Sequence, residues 1–469
     1  MKLNRILLAA GSSGSGKTLL TCGLLQALVS RGMSVASFKC GPDYIDPMFH
    51  SRVIGTKSRN LDTFFTGEEA VRYLLAQGAK GCELAVMEGV MGYYDGVGGT
   101  TPRASAYHLA RATDTPVILV VNSRGMSLSL AAYIKGFLEY KRDSRIRGVI
   151  LNQMSPMLYP RMKALLEEEL PVKVLGYVPQ VEDCVIESRH LGLVLPQEIL
   201  DLKEKLRRLG EILEKTLDIP GILELAGEAG ELSAPADLSH LDPAFSYRIP
   251  RGEKPLRLGL ASDEAFCFFY EDNFRLLREM GAELIPFSPL RDGHLPRELD
   301  GLLLYGGYPE LYGRELEENH SMREEIRTAI GEGLPCLAEC GGFMYLHQRM
   351  EGMDGRIYQM AGVIPGEVRR TPRLTRFGYV TLSQKCPVFG EASLGELSAH
   401  EFHYFDSDNC GDAFVARKPA GNRSWECLLA DGNLLAGFPH FYYYGNPSLP
   451  KAFLKSCLGQ RSRRKRRDL

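Results

Sequence analysis

Residues Gly11-Ser12-Ser13-Gly14-Ser15-Gly16-Lys17-Thr18 form a complete phosphate-binding loop, set directly between the apolar run Arg5–Ala10 and a helical pattern that opens with Leu19-Leu20-Thr21. Few motifs constrain a fold as tightly. The glycines permit a turn whose backbone N–H groups cradle phosphates, while the lysine reaches the terminal phosphoryl groups and the threonine hydroxyl serves magnesium. All of this requires a strand before the loop and a helix after it. The N-terminal apolar segment is therefore expected to be a first strand rather than a secretory leader. Further strand-like runs at Ser34–Phe38, Leu84–Met87, Val117–Val121 and Val149–Leu151 alternate with helical patterns. The expected architecture is α/β, a mostly parallel sheet with helices on both faces and the nucleotide at the carboxyl ends of its strands.

A second chemical signal lies far from the first. Leu337-Ala338-Glu339-Cys340-Gly341-Gly342-Phe343 reads as a strand that delivers a cysteine onto a glycine-enforced turn before an apolar helix. That is how a nucleophile is presented, with N–H groups after it left to meet an oxyanion. Around it a second alternation runs through Leu256–Ala261, Glu283–Phe287 and Gly301–Tyr305, which predicts a second α/β sheet. Helical spacing over Gln197–Leu217 predicts an amphipathic helix closing the first domain, and the Gly-, Pro-, Ser- and Asp-rich stretch after it has linker composition. The expected organisation is a phosphoryl-transfer domain over 1–225, a linker over 226–255, a thiol-bearing domain over 256–454 and a basic tail over 455–469. Six basic residues between Arg461 and Arg467 make that tail read as frayed and solvated.

Composition narrows the function classes. At 469 residues, 44% hydrophobic and 24% charged, the chain reads as a soluble protein of two or three domains. A formal net charge of -2 argues against nucleic acid and acidic membrane surfaces as partners. Eleven cysteines without a C-x-x-C spacing fit reduced thiols better than disulfides or zinc, and no apolar run is long enough to span a bilayer, so a cytoplasmic location is expected.

Two acidic segments lie where strands should end. Lys39-Cys40-Gly41-Pro42-Asp43-Tyr44-Ile45-Asp46-Pro47 carries a lysine and two carboxylates that could serve magnesium and an acidic substrate, or could simply build turns. Glu88, opening Glu88-Gly89-Val90-Met91-Gly92, is a candidate magnesium ligand, whereas Asp95 reads equally well as a turn residue.

Taken together, the phosphate loop, Gly41–Pro47, Glu88–Gly92, Arg189-His190-Leu191-Gly192-Leu193, Gly306-Gly307-Tyr308-Pro309-Glu310 and Cys340-Gly341-Gly342 resemble the cobyrinate a,c-diamide synthase family, over nearly the whole chain. The resemblance implies a glutamine-hydrolysing carbon–nitrogen ligase of corrinoid (cobalamin) biosynthesis. Its two parts would be a dethiobiotin synthetase-like ATP domain and a class I glutaminase domain, acting on the a and c acetates of cobyrinic acid. ATP, L-glutamine and the tetrapyrrole acid are the implied partners, and Mg2+ the implied cofactor.

By the same resemblance, Gly11 to Thr18 and Lys39 handle the phosphates of ATP. Thr18, Asp43 and Glu88 surround magnesium, and Asp46 faces the substrate carboxylates. Cys340 is the glutaminase nucleophile, His440 its base, and Gly306, Gly307 and Gly341 the oxyanion site. His440 stands six residues before Asn446-Pro447, as in the family. The family more often has Tyr-Leu-His-Leu-His-Phe around this histidine. No glutamate follows His440 by two residues, which leaves a cysteine–histidine dyad and the third orienting group open. His400 and His403 compete for the role of base but rank below His440, and their segment reads as structural or domain-contact material. Enzymes amidating nickel sirohydrochlorin or hydrogenobyrinic acid are the near alternatives. A nucleotide-binding partitioning or regulatory ATPase with an inactive glutaminase-like domain is the alternative of another class.

Overall fold

The structure is a computed structural model describing residues 1–181 and 196–467. The Arg189–Leu193 motif lies outside the described residues. The chain divides into two compact units, Met1–Asp237 and Leu238–Leu469.

The first unit is built on seven parallel strands: β1 (Arg5–Ala10), β2 (Val35–Cys40), β3 (Lys57–Leu61), β4 (Leu84–Glu88), β5 (Val117–Asn122), β6 (Ile146–Asn152) and β7 (Lys173–Val178), in the order β3-β2-β4-β1-β5-β6-β7. β1 and β2 are buried along their whole length, as parallel strands covered on both faces by helices must be. Even Arg5 is inaccessible. Its guanidinium is satisfied by the carbonyls of Leu3, Thr113 and Asp114 at 2.9–3.1 Å. β3 and β7 add to the strands that the sequence predicts. β3 is an edge strand reading Lys-Ser-Arg-Asn-Leu, with no apolar run to betray it. Helix Pro196–Thr216 appears where the spacing predicts one and places Leu206, Leu209 and Leu213 in the core shared with α1 (Lys17–Ser30).

The second unit holds a six-stranded sheet. Its parallel part contains β8 (Leu256–Ala261), β9 (Ala282–Phe287), β10 (Gly301–Leu304) and β11 (Cys336–Glu339), with Leu434–Gly437 pairing parallel to β11 and Leu429–Asp431 antiparallel at the edge. Two further sheets, of four and five strands, occupy the region from His347 to Phe441 and were not anticipated. Strands such as Arg376–Gln384 are buried only at scattered positions, so they lack the continuous apolar run by which β8 and β10 are recognised. No helix among the described residues is long and apolar enough to cross a membrane.

The expected frayed tail is corrected here, because Ser448–Arg467 is a single helix. Arg461, 8% exposed, donates to Asp300 at 3.0 Å and to the carbonyls of Lys254 and Pro255 at 2.7 and 2.6 Å, while Arg464 donates to Asp300 at 2.9 Å. Asp300 lies at the entry to β10, so part of the basic run fastens the helix to the sheet. Arg461→Ala removes hydrogen bonds to a buried carboxylate but leaves Asp300 with Arg464 and the Arg257 N–H at 2.9 Å. It should therefore destabilise the second unit by about 2 kcal/mol, and Arg466→Ala, at an exposed position, by less than about 0.5 kcal/mol. Urea denaturation midpoints check the difference.

Candidate active site

In the first unit, the loop after β1 turns into α1 through Gly16, whose φ of 86° is open to glycine at low cost. Ser12, Ser13 and Gly14 are exposed, whereas Ser15 and Lys17 are buried. Ser15 Oγ donates to the carbonyl of Ser12 at 2.9 Å, and Asn152 at the end of β6 donates to the carbonyl of Ser15 at 2.9 Å. Lys17 arches back over the loop and donates to the carbonyls of Ser12 (3.1 Å) and Met91 (2.7 Å). Burial and then the nearby Lys39 lower its pKa to about 8. A bound phosphate would reverse that shift by supplying the missing negative charge.

Beside the loop, the ends of β2 and β4 bring a charged cluster together. Lys39 Nζ donates to Glu88 Oε1 at 2.6 Å and also pairs with Asp46, and Thr18 Oγ1 donates to the same Glu88 oxygen at 2.7 Å. Burial would pull the Lys39 ammonium down, but the carboxylates of Glu88, Asp46 and Asp43 outweigh it and hold it protonated. Burial raises the Glu88 carboxyl, and burial together with Asp46 raises Asp43 to about 6. Asp43 Oδ1 accepts the backbone N–H groups of Ile45 and Asp46 at 2.8 and 3.2 Å, and Asp95 caps the N–H of Gly92 at 3.0 Å, so both acids build turns. Asp46 is buried against Lys39.

No three His, Cys, Asp or Glu side chains converge as a metal cage among the described residues. Magnesium held with phosphates does not need one, because a hydroxyl, one or two carboxylates and water complete its shell. Glu88 Oε2 is buried without a hydrogen-bond partner among the described residues, next to the Thr18 hydroxyl. Of the residues expected around magnesium, the fold brings Thr18 and Glu88 into contact, while Asp43 acts on the same Lys39 ammonium and uses one oxygen in its own turn. The Thr18 hydroxyl and the unused Glu88 oxygen fit a divalent cation.

In the second unit, β11 ends at Glu339 and Cys340 takes φ 46° and ψ −104°, a conformation that costs a non-glycine residue about 1–3 kcal/mol. The turn is held by the Cys340 N–H donating to the Gly437 carbonyl at 2.8 Å and by the Met344 N–H donating to the Cys340 carbonyl at 2.8 Å. Helix Gly341–Leu346 follows at once. Close packing explains its glycines, since a Cβ on Gly342 would lie 1.9 Å from the Leu304 carbonyl oxygen and one on Gly341 would lie 3.0 Å from the backbone nitrogen of Gly307. The loop after β10 is thus pressed against the cysteine turn. His440 meets the same loop, with its Cε1 only 2.6 Å from where a Cβ on Gly306 would stand. Burial raises the Cys340 thiol, with Glu310 adding to it and a hydrogen bond from the Gly341 N–H opposing.

The competing histidines are separated by their partners. Both ring nitrogens of His403 are engaged, Nδ1 with the Phe405 carbonyl (2.6 Å) and Nε2 with Glu401 (3.1 Å), and its ring stacks on Phe438 at 3.9 Å. His400 lies directly across the strand pair from His440. Burial, with Lys418, lowers His400 to about 3, and burial, with His400 and His403, lowers His440 to about 3. Asn152 and Glu339 carry no functional signal in the sequence, because each is simply the last residue of a strand until the fold supplies its neighbours.

A phosphate-loop nucleotide unit joined to a unit with a cysteine elbow defines the class of glutamine-dependent ATP enzymes. Residues 6–193 match the CobQ/CobB/MinD/ParA nucleotide binding domain, and residues 257–447 match the CobB/CobQ-like glutamine amidotransferase domain. A cobyrinate a,c-diamide synthase of Caldanaerobacter subterraneus subsp. tengcongensis is 38% identical over 97% of this chain and 98% of its own length. One of Priestia megaterium is 36% identical over 100% of both chains, and one of Thermoplasma volcanium is 37% identical over 98% of both. The chain belongs to the cobyrinate a,c-diamide synthase family.

Because burial disfavours the imidazolium, His440 should remain neutral from pH 8 down to about pH 4. Its ring 15N resonances in histidine-labelled protein should show no titration step near pH 6.5, the ordinary value; a step there would contradict the buried environment.

Proposed function

We propose that this chain amidates the a and c acetate carboxylates of cobyrinic acid, using ATP for activation and glutamine as nitrogen source. What carries the reading is the full-length similarity to the diamide synthases together with two separate sites, the Thr18–Glu88–Lys39 cluster and the Cys340 turn.

A carboxylate resists attack by ammonia because oxide would have to leave. Phosphorylation replaces oxide with a stabilised phosphate leaving group. The residues present suit positioning and charge stabilisation, which is most of what a protein supplies to phosphoryl transfer. Gly11 to Gly16 offer backbone N–H groups to the phosphates, and Lys17 and Lys39 bring positive charge to the phosphoryl oxygens. Thr18, Glu88 and Asp43 would hold magnesium, which neutralises the phosphate charge when bound. Asp46, buried against Lys39, would keep that lysine oriented toward the substrate carboxylates.

In the second unit, Cys340 Sγ attacks the side-chain amide carbon of glutamine and its proton passes to His440. The oxyanion is met by backbone N–H groups of Gly341 and the Gly306–Gly307 loop. His440 returns the proton to the departing nitrogen as the C–N bond breaks. Water then cleaves the thioester to glutamate.

Two sites should give two separable losses. Cys340→Ala should abolish glutamine-dependent amidation yet retain ammonium-dependent amidation, whereas Lys17→Ala should lose amidation with either nitrogen source and keep glutaminase turnover. Product analysis by mass checks both, and loss of both activities in a folded Cys340→Ala protein would refute the thiol's role. If activation passes through an acyl phosphate, oxygen-18 from the substrate carboxylates must appear in inorganic phosphate with ADP as co-product; labelled AMP would mean adenylylation.

A further inference from the structure

The open question in the glutaminase half is what orients His440. Position 442, where a three-residue site would carry its glutamate, is Tyr442, and its hydroxyl donates to Asp272 at 2.9 Å. The structure places a different acid at the imidazole. Glu339, the residue immediately before Cys340, has its Oε2 3.6 Å from His440 Nδ1, with both side chains 3% exposed. The same oxygen accepts the backbone N–H of Phe441 at 3.4 Å, and Oε1 has no hydrogen-bond partner among the described residues. An ionisable side chain this deeply buried demands a partner. The Phe441 contact alone is long for one hydrogen bond and leaves the second oxygen unused.

We propose that Glu339 is the positioning residue for His440, so that the acid of the site is supplied by the strand that carries the nucleophile and not by the strand that carries the base. This rests on the reading of Cys340 and His440 as the glutaminase pair. Glu339 accepts the Nδ1–H of His440, which leaves the lone pair on Nε2 to take the thiol proton as the S–C bond to the glutamine amide carbon forms. Burial raises the Glu339 carboxyl well above its ordinary range and the Phe441 N–H opposes that. With the Nδ1–H donated to it as well, Glu339 is the carboxylate that balances the imidazolium when Nε2 is protonated, until that proton leaves with ammonia. At 3.6 Å the contact is longer than a formed hydrogen bond, and catalytic hydrogen bonds commonly shorten only once substrate is bound. The strain at Cys340 has a use in this arrangement. Side chains of successive strand residues point to opposite faces, and the turn at φ 46° breaks that alternation between Glu339 and Cys340.

The test uses the full chain, with glutamate release from glutamine as readout. Glu339→Gln keeps an oxygen that can accept the Phe441 N–H, so a purely structural role would survive the change. The proposal expects its kcat to fall by at least about 100-fold, the usual scale for an impaired general base, with KM for glutamine within twofold and ammonium-dependent amidation unchanged. In the unaltered protein, histidine 15N shifts should show His440 as the Nδ1–H tautomer. A Glu339→Gln kcat within threefold of the unaltered protein, or an Nε2–H tautomer at His440, would overturn the proposal; the tautomer decides alone if the variant fails to fold. Glutamine hydrolysis that persists in Cys340→Ala would instead overturn the glutaminase reading itself.

Discussion

Parallel strands buried on both faces leave no room for solvated polar groups along their length, so the chemistry of this chain is carried where the strands end. The phosphate loop follows β1, Lys39 lies near the end of β2, Glu88 closes β4 and Asn152 closes β6. In the second unit the Gly306–Gly307 loop follows β10 and Cys340 follows β11. Neighbouring parallel strands bring these ends side by side, which is how residues distant in sequence become one site. Thr18 and Glu88 are 70 positions apart and in hydrogen-bond contact.

The two sites handle buried charge in opposite ways. Around Lys39 the carboxylates are numerous and the ammonium is held in its charged form, an arrangement suited to polyphosphate and a divalent cation. Around Cys340 and His440 both groups are held neutral by burial, the thiol pushed up and the imidazole pushed down. A neutral thiol and imidazole carry no standing desolvation cost for two ions, and in the proposed reaction that charge separation would occur only with glutamine bound. The glycine contacts set the geometry for that moment. Any Cβ on Gly341 or Gly342 would force the Gly307 nitrogen or the Leu304 carbonyl away from the cysteine turn.

Local sequence specifies the phosphate loop and its strand–loop–helix context, the cysteine on its glycine turn, and most parallel strands of the two large sheets. These features are local, fixed by residue type at fixed spacing or by continuous apolar runs. Tertiary structure decided what depended on one-sided burial and on contacts between distant segments. β3 has too little apolar sequence to announce itself, and the five-stranded sheet carrying His400 and His440 has only intermittent burial. Arg461 looked like part of a solvated run until Asp300 was placed beside it. Asp46 could not be known to pair with Lys39, nor His403 to have both nitrogens taken, without the fold. Glu339 was in plain view beside Cys340, yet its proximity to His440, 101 positions along the chain, exists only because the strand Leu434–Gly437 runs alongside β11 and hands the chain on to His440.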